Sequence, residues 1–197
     1  MLHFSGQRLI ILMVIFCAAL LSLPSTVFAR VTNDEKGIYS EKLRFVSNRM
    51  MGNLEKKGTT YNFILENLGP AERKVFKSNP AKGMLVVIDA ATATTSAENN
   101  YQDIWNGKGD AYRHGLWQGL SAFHTGVKYA KAFGDAHEAD FPGSVTQTAM
   151  DLNNNAVGRN MGIKKGRTSE IYSAVKQGIA SGKFLYIKNG KLVRTDK

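Results

Sequence analysis

Three successive asparagines, Asn153, Asn154 and Asn155, stand in the middle of a helical pattern running over residues 146–159 (TQTAMDLNNNAVGR). The short amide of asparagine competes for backbone hydrogen bonds, so the triplet costs a helix about 1 to 2 kcal/mol relative to alanines. A solvated face would use Glu and Lys instead. Asp151, Asn154, Asn155 and Gly158 fall at i, i+3, i+4 and i+7, one stripe of a helix. The pattern predicts a partly buried polar face that holds a ligand, a metal or another buried side chain. The alternative is a helix broken at residues 153–155, with Gly158 ending it.

Two more polar groups precede it within about fifty residues. In GDAYRHGLWQG (109–119), Asp110, His114 and Trp117 share a stripe that Gln118 and Ser121 extend, and Asp110 is placed to cap the helix opening after Gly109. In GDAHEAD (134–140), His137 and Glu138 end a helix whose apolar members are Val127, Ala130, Ala132 and Phe133. An acid beside an imidazole supplies two metal ligands, or an acid/base group and its orienting partner. Desolvated polar groups need partners, so the three stripes are expected to face one another around a shared pocket.

The remaining chain frames that pocket. His3 and Arg8 precede an apolar run at residues 9–23, followed by PSTVFA with small residues at Val27 and Ala29. This predicts a signal peptide over 1–29, because a run of about 15 residues is shorter than the roughly 20 that span a bilayer. Cys17 lies inside the run, so beyond the leader no thiol or disulfide chemistry is available. The destination is periplasmic or secreted, and membrane contact is expected only transiently, through the leader.

With 26 Lys and Arg against 16 Asp and Glu, a net charge of +10, the chain favours anionic partners. Outside the cell these are lipid headgroups, wall polymers with their phosphorylated precursors, or nucleic acid. No recognisable nuclease motif is present, so no specific nucleic-acid partner is expected.

Helices are predicted over 39–54, 61–68, 71–76, 110–123, 127–138, 144–161 and 168–180. Periodicity leaves residues 84–88 open between strand and buried helix, although the alanines that follow favour a helix over 81–97. Residues 98–108 read as a loop. At the C-terminus, 184–187 and 192–194 flank Asn189-Gly190, a pair suited to a tight hairpin turn. The expected fold is mostly α: a single helical-bundle domain over 30–197, with its motif region at 65–165 and a small β-hairpin at 184–194.

The order D-A-Y-R-H-x-x-W, G-x-x-x-A-x-x-F-x-D-A-H-E and M-D-x-x-N-N-x-x-G-R, with Asn79-Pro80 and the Ala/Thr run upstream, resembles a widespread bacterial domain of uncharacterised function. That domain occurs in exported proteins and at the ends of secreted or toxin-like chains, which implies a shared site and, for a toxin, an immunity protein as partner. Asn153 stands where many relatives carry histidine. His114, His137-Glu138 and Asp151 also follow the order of ligands in helical metal-dependent phosphohydrolases, a looser similarity with His-Glu in place of His-Asp and with short intervals.

Three functions follow as expectations. The leading one is an exported hydrolase of a phosphate-containing envelope substrate, with Asp110, His114, His137 and Asp151 binding a divalent metal (Zn or Mn/Mg). Glu138, His137 and Asp151 would serve catalysis. Arg113, Trp117, Asn154, Asn155 and Arg159 would contact substrate or orient the ligands, unless Arg113, which points about 100° from His114, makes a structural salt bridge instead. A second expectation is a metal-independent glycosidase-like enzyme using Glu138 and Asp151. A third is a non-catalytic module that binds an anionic ligand.

Overall fold

The computed structural model describes residues 59–197; the leader and the helix expected at 39–54 lie outside the described residues. The chain divides into two compact units, Met1–Leu68 and Gly69–Lys197. The first contains α1 (Thr59–Asn67). The second contains α2 (Pro70–Ser78), α3 (Pro80–Asn100), α4 (Lys108–Thr125), α5 (Val127–Asp140), α6 (Val145–Gly162), α7 (Thr168–Ala180) and a hairpin of β1 (Leu185–Lys188) and β2 (Lys191–Arg194). The fold is thus mostly helical, as the sequence predicts. Among the described residues, no helix is long and apolar enough to cross a membrane.

Proline and capping side chains set the helix starts. Pro70 and Pro80 open α2 and α3, where a missing N–H costs nothing. Asn79 accepts from the Lys82 amide (3.1 Å). The first amides of α2, which have no partner within the helix, donate to Asp140 at the far end of α5, from Ala71 (3.0 Å) and Glu72 (2.8 Å). Ser144 and Gln147 cap α6 reciprocally.

Residues 84–88 are helical, and α3 continues to Asn100, so the connecting loop is 101–107 and not 98–108. Glu98, Asn99 and Asn100 are the wet last turn of a helix, which resembles a loop in composition.

Helix α4 is the axis of the second unit. Its residues from Gly109 to Ala122 are buried apart from Arg113, with α3, α5, α6 and α7 packed around it. On α6, Gly158 and Gly162 lie against the Gly115 and Gly119 carbonyls of α4, where a Cβ would collide with backbone. The two pairs advance together along the chain, so α4 and α6 run parallel and almost touch. Helix α7 closes another side with Ile171, Val175 and Ile179, all buried.

Helix α6 is continuous through residues 153–155, which removes the broken-helix alternative. Asn189 (φ 52°) and Gly190 (φ 74°) form the hairpin turn, with Leu185 opposite Arg194 and Lys188 opposite Lys191.

Candidate metal centre

The parallel contact of α4 and α6 brings the first turns of α4 beside the middle of α6 and buries polar groups from both. One ligand atom each from Asp110, His114 and Asp151 lies within 4.8 Å of the others. His114 Nε2 is 3.5 Å from Asp110 Oδ1 and 3.4 Å from Asp151 Oδ1. Ligands held about 2.0 to 2.1 Å from a tetrahedral ion are about 3.3 Å apart, so these spacings fit a divalent cation. Three protein ligands leave one position open, as in catalytic sites.

Hydrogen bonding fixes the His114 tautomer. A guanidinium only donates, so at 2.9 Å from Arg113 Nη2 the His114 Nε2 carries a lone pair. Nδ1 therefore bears the proton and donates to Asn155 Oδ1 (3.1 Å), while Asn155 Nδ2 donates to Glu138 Oε1 (2.9 Å). All three side chains are buried. A metal-binding histidine has one unprotonated nitrogen and the other held by a buried acceptor; in His114 the unprotonated Nε2 accepts from Arg113, a hydrogen bond that an ion would replace.

Charge completes the picture. Burial, reinforced by Arg113, pushes His114 down to about 3, so the imidazole stays neutral. Burial, with Asp110 and Glu138 nearby, pushes Asp151 up to about 8. Burial also raises Glu138. It opposes ionisation of Asp110 too, but Arg113 and the Asn106 amide outweigh it and hold that carboxyl below its usual range. Asp151 Oδ1 is buried without a hydrogen-bond partner. Its neighbour at 3.4 Å, His114 Nε2, has no proton to give it, so this oxygen is left needing a proton or a cation.

Other expected site residues have other duties. Asp110 does not cap α4: Asp103 accepts from the Lys108 and Gly109 amides (3.0 and 3.2 Å). Asp110 accepts instead from the Asn106 amide (2.7 Å) and from Arg113 Nη2 (2.5 Å), the structural salt bridge weighed as the alternative for that arginine. His137 is outside the ligand group. Its Nδ1 is 2.7 Å from Glu72 Oε1, and although burial disfavours its charge, the Glu72 carboxylate raises its pKa. Trp117 walls the site, 6.2 Å from the His114 ring and 5.2 Å from that of His137, but spends its N–H on the Val86 carbonyl (3.1 Å). Asn154 turns away and pairs with both backbone groups of Leu185, accepting at 2.9 Å and donating at 2.8 Å, so it anchors the hairpin. Arg159 lies one turn beyond Asn155 and donates to Gln118 Oε1 (2.7 Å).

Two polar partners have no counterpart in the motif reading. Glu72, which holds His137, is the acid three residues into the Gly69-Pro70 helix start, where it also accepts from the Gly69 amide (2.9 Å). Asp89 accepts from His124 Nδ1 at 2.9 Å. It is the one charge in GMLVVIDAATATTSA (83–97), and that isolation was its signal.

Fold and site together define a small helical domain with a buried Asp–His–Asp group that could hold a metal ion. Residues 73–183, more than half of the chain, match the family of a domain of unknown function, DUF6973, and the chain belongs to that family. The match covers the motif region from residue 73 onward and runs past it through α7. No curated protein and no solved structure matches the chain.

Proposed function

We propose that this protein is an exported, divalent-metal-dependent hydrolase acting on a phosphate-containing envelope substrate. One observation carries the proposal: three ligand atoms from two close-packed helices converge at metal-binding spacing, and one of them, Asp151 Oδ1, is buried and unpartnered. A structural ion pair would satisfy its members. A bound cation of this class would polarise a phosphoryl oxygen and lower the pKa of bound water.

The chain's own residues have separable tasks. His114, Asp110 and Asp151 hold the ion. Asn155 and Glu138 fix the His114 ring by its Nδ1 edge, a placement that suits Glu138 to positioning rather than to general-base work. Arg113, stacked 5.3 Å from the exposed Trp105 ring, is the cation nearest the ligand atoms and is placed to receive a phosphate oxygen. The glycosidase alternative finds less support, because Glu138 and Asp151 address opposite edges of the His114 ring. Action in the periplasm or outside the cell follows from the leader-like N-terminus. A toxin role with an immunity partner follows only from the company the resembling domain keeps.

The test is elemental analysis of the purified protein and of His114→Ala, Asp151→Asn and His137→Ala, with turnover of a simple phosphate ester measured with and without chelator. We expect about one divalent ion per chain, as a single three-ligand site implies, lost in the first two variants and kept in the third, and turnover that chelator abolishes. Metal-free wild-type protein would overturn the proposal. Metal without turnover on any phosphate ester would favour the binding module.

A further inference from the structure

Beside the ligand group, two segments are tied to a single residue of the 101–107 loop. Ile187 of β1 donates its amide to the Asn106 carbonyl (2.7 Å), and Gln147 of α6 donates to Asn106 Oδ1 (2.9 Å). Exposed apolar side chains scattered singly need no explanation. Here three stand on the tethered segments: Trp105 is 55% exposed, Val145 89% and Leu192, paired with Ile187 across the hairpin, 39%.

The hairpin is basic, and a lysine follows the loop. Lys188 and Lys191 flank the hairpin turn and are exposed, and Lys108 Nζ lies over the Tyr186 ring at 5.5 Å. Asp103, the acid of the loop, is engaged with the first amides of α4. An indole and aliphatic side chains on segments that also carry exposed lysines match the headgroup level of an anionic bilayer, where the ring sits at the interface and each lysine gains from the surface potential. Nucleic acid would exploit the charge but leave the aliphatic members without a role.

We propose that the Trp105 loop and the hairpin tip form a docking face for an anionic phospholipid surface. The face abuts the ligand group, since Trp105 stacks on Arg113 and the Arg113 Nη2 reaches both Asp110 and His114. A docked bilayer thereby presents phosphodiesters next to the site. Docking requires no turnover, so this proposal and the hydrolase proposal can fail separately.

The test uses the full chain in EDTA, with vesicles of phosphatidylcholine alone or mixed equally with phosphatidylglycerol. The readout is tryptophan emission, because the apolar N-terminal run is able to bind lipid by itself. The chain has two tryptophans, and Trp117 is buried, so the responsive one is Trp105. We expect a blue shift on the anionic vesicles only, absent in Trp105→Phe. The Lys188→Gln/Lys191→Gln double variant, which leaves the core untouched, should weaken the response about 25-fold, at about fivefold per lysine. No shift on anionic vesicles, or an undiminished shift in the double variant, would overturn the docking face. An equal shift with soluble duplex DNA would reassign it to polyanions in general.

Discussion

Helix α4 carries two histidines ten residues apart, His114 buried and His124 partly so, and their surroundings drive them in opposite directions. His114 faces Asp110, Asp151 and an amide, with a guanidinium at 2.9 Å, and its pKa falls to about 3. His124 faces Asp89, bonded at 2.9 and 3.1 Å; burial works against its charge, but the carboxylate overcomes it and raises the pKa. One imidazole is kept neutral, accepting from Arg113 with two carboxylate oxygens close by, and the other is an ion pair closed on itself. Proximity of acid and imidazole therefore does not mark a site. What separates the two is whether every buried atom already has a partner: Asp151 Oδ1 has none, whereas both Asp89 oxygens share His124.

The sharpest way to break this contrast is to neutralise one acid from each group. Asp89→Asn should cost about 3 to 5 kcal/mol, because it leaves half of a buried ion pair without its counter-charge. Asp151→Asn, measured in chelator, should cost less than about 1 kcal/mol or add stability, since it removes an uncompensated buried carboxyl. Urea unfolding of both variants beside the wild type reads the difference. Equal losses would mean that Asp151 belongs to a closed pair after all.

Neighbouring asparagines give the next contrast. Asn155→Ala should lower metal affinity about 10- to 100-fold, the usual consequence of removing the group that orients a ligating histidine. Asn154→Ala should leave affinity unchanged and loosen the hairpin, because its two hydrogen bonds go to Leu185. Glu138→Gln should have a small effect, as a glutamine oxygen still accepts from Asn155. Competition titration against a zinc chelator separates these outcomes, and equal affinities for the Asn155 and Asn154 variants would remove Asn155 from its positioning role.

That pair also shows how far the sequence could be read. The stripe of Asp151, Asn154, Asn155 and Gly158 was legible as a buried polar face because asparagines are expensive in a solvated helix. A stripe at that spacing spans a wide wedge of the helix, however. Only the packing of β1 against α6 reveals that Asn154 points at the hairpin while Asp151 and Asn155 point at His114. The polar stripe of α4 was visible too, but with Tyr112, Leu116 and Leu120 buried on its other side, the helix has no wet face for amphipathicity to report. Glu72–His137 and Asp89–His124 were out of reach for a different reason. Their partners lie 65 and 35 residues apart, and neither acid shares a stripe with another acid or a histidine.

The smallest expected effect concerns the closed pair and its pH dependence. A group whose pKa is higher folded than unfolded contributes stability that is complete below its unfolded value and disappears as pH rises through the folded one. Both partners are shifted that way: His124 is raised by Asp89, and Asp89 by burial, against which His124 pulls. The carboxyl contribution fades from about pH 4 upward and the imidazole contribution from about pH 6.5 upward. His124 also occupies the last turn of α4, where a cation meets the negative end of the helix dipole, worth about 1 to 2 kcal/mol at a partly buried position. Wild-type stability should therefore decline between pH 6.5 and 9 relative to His124→Gln, by about that amount. His137, raised by Glu72 despite its burial, contributes a slope of the same sign, which the subtraction cancels. Parallel stability profiles for wild type and His124→Gln across that range would show that His124 does not carry its charge in the folded protein, and the opposition between the two histidines of α4 would be lost.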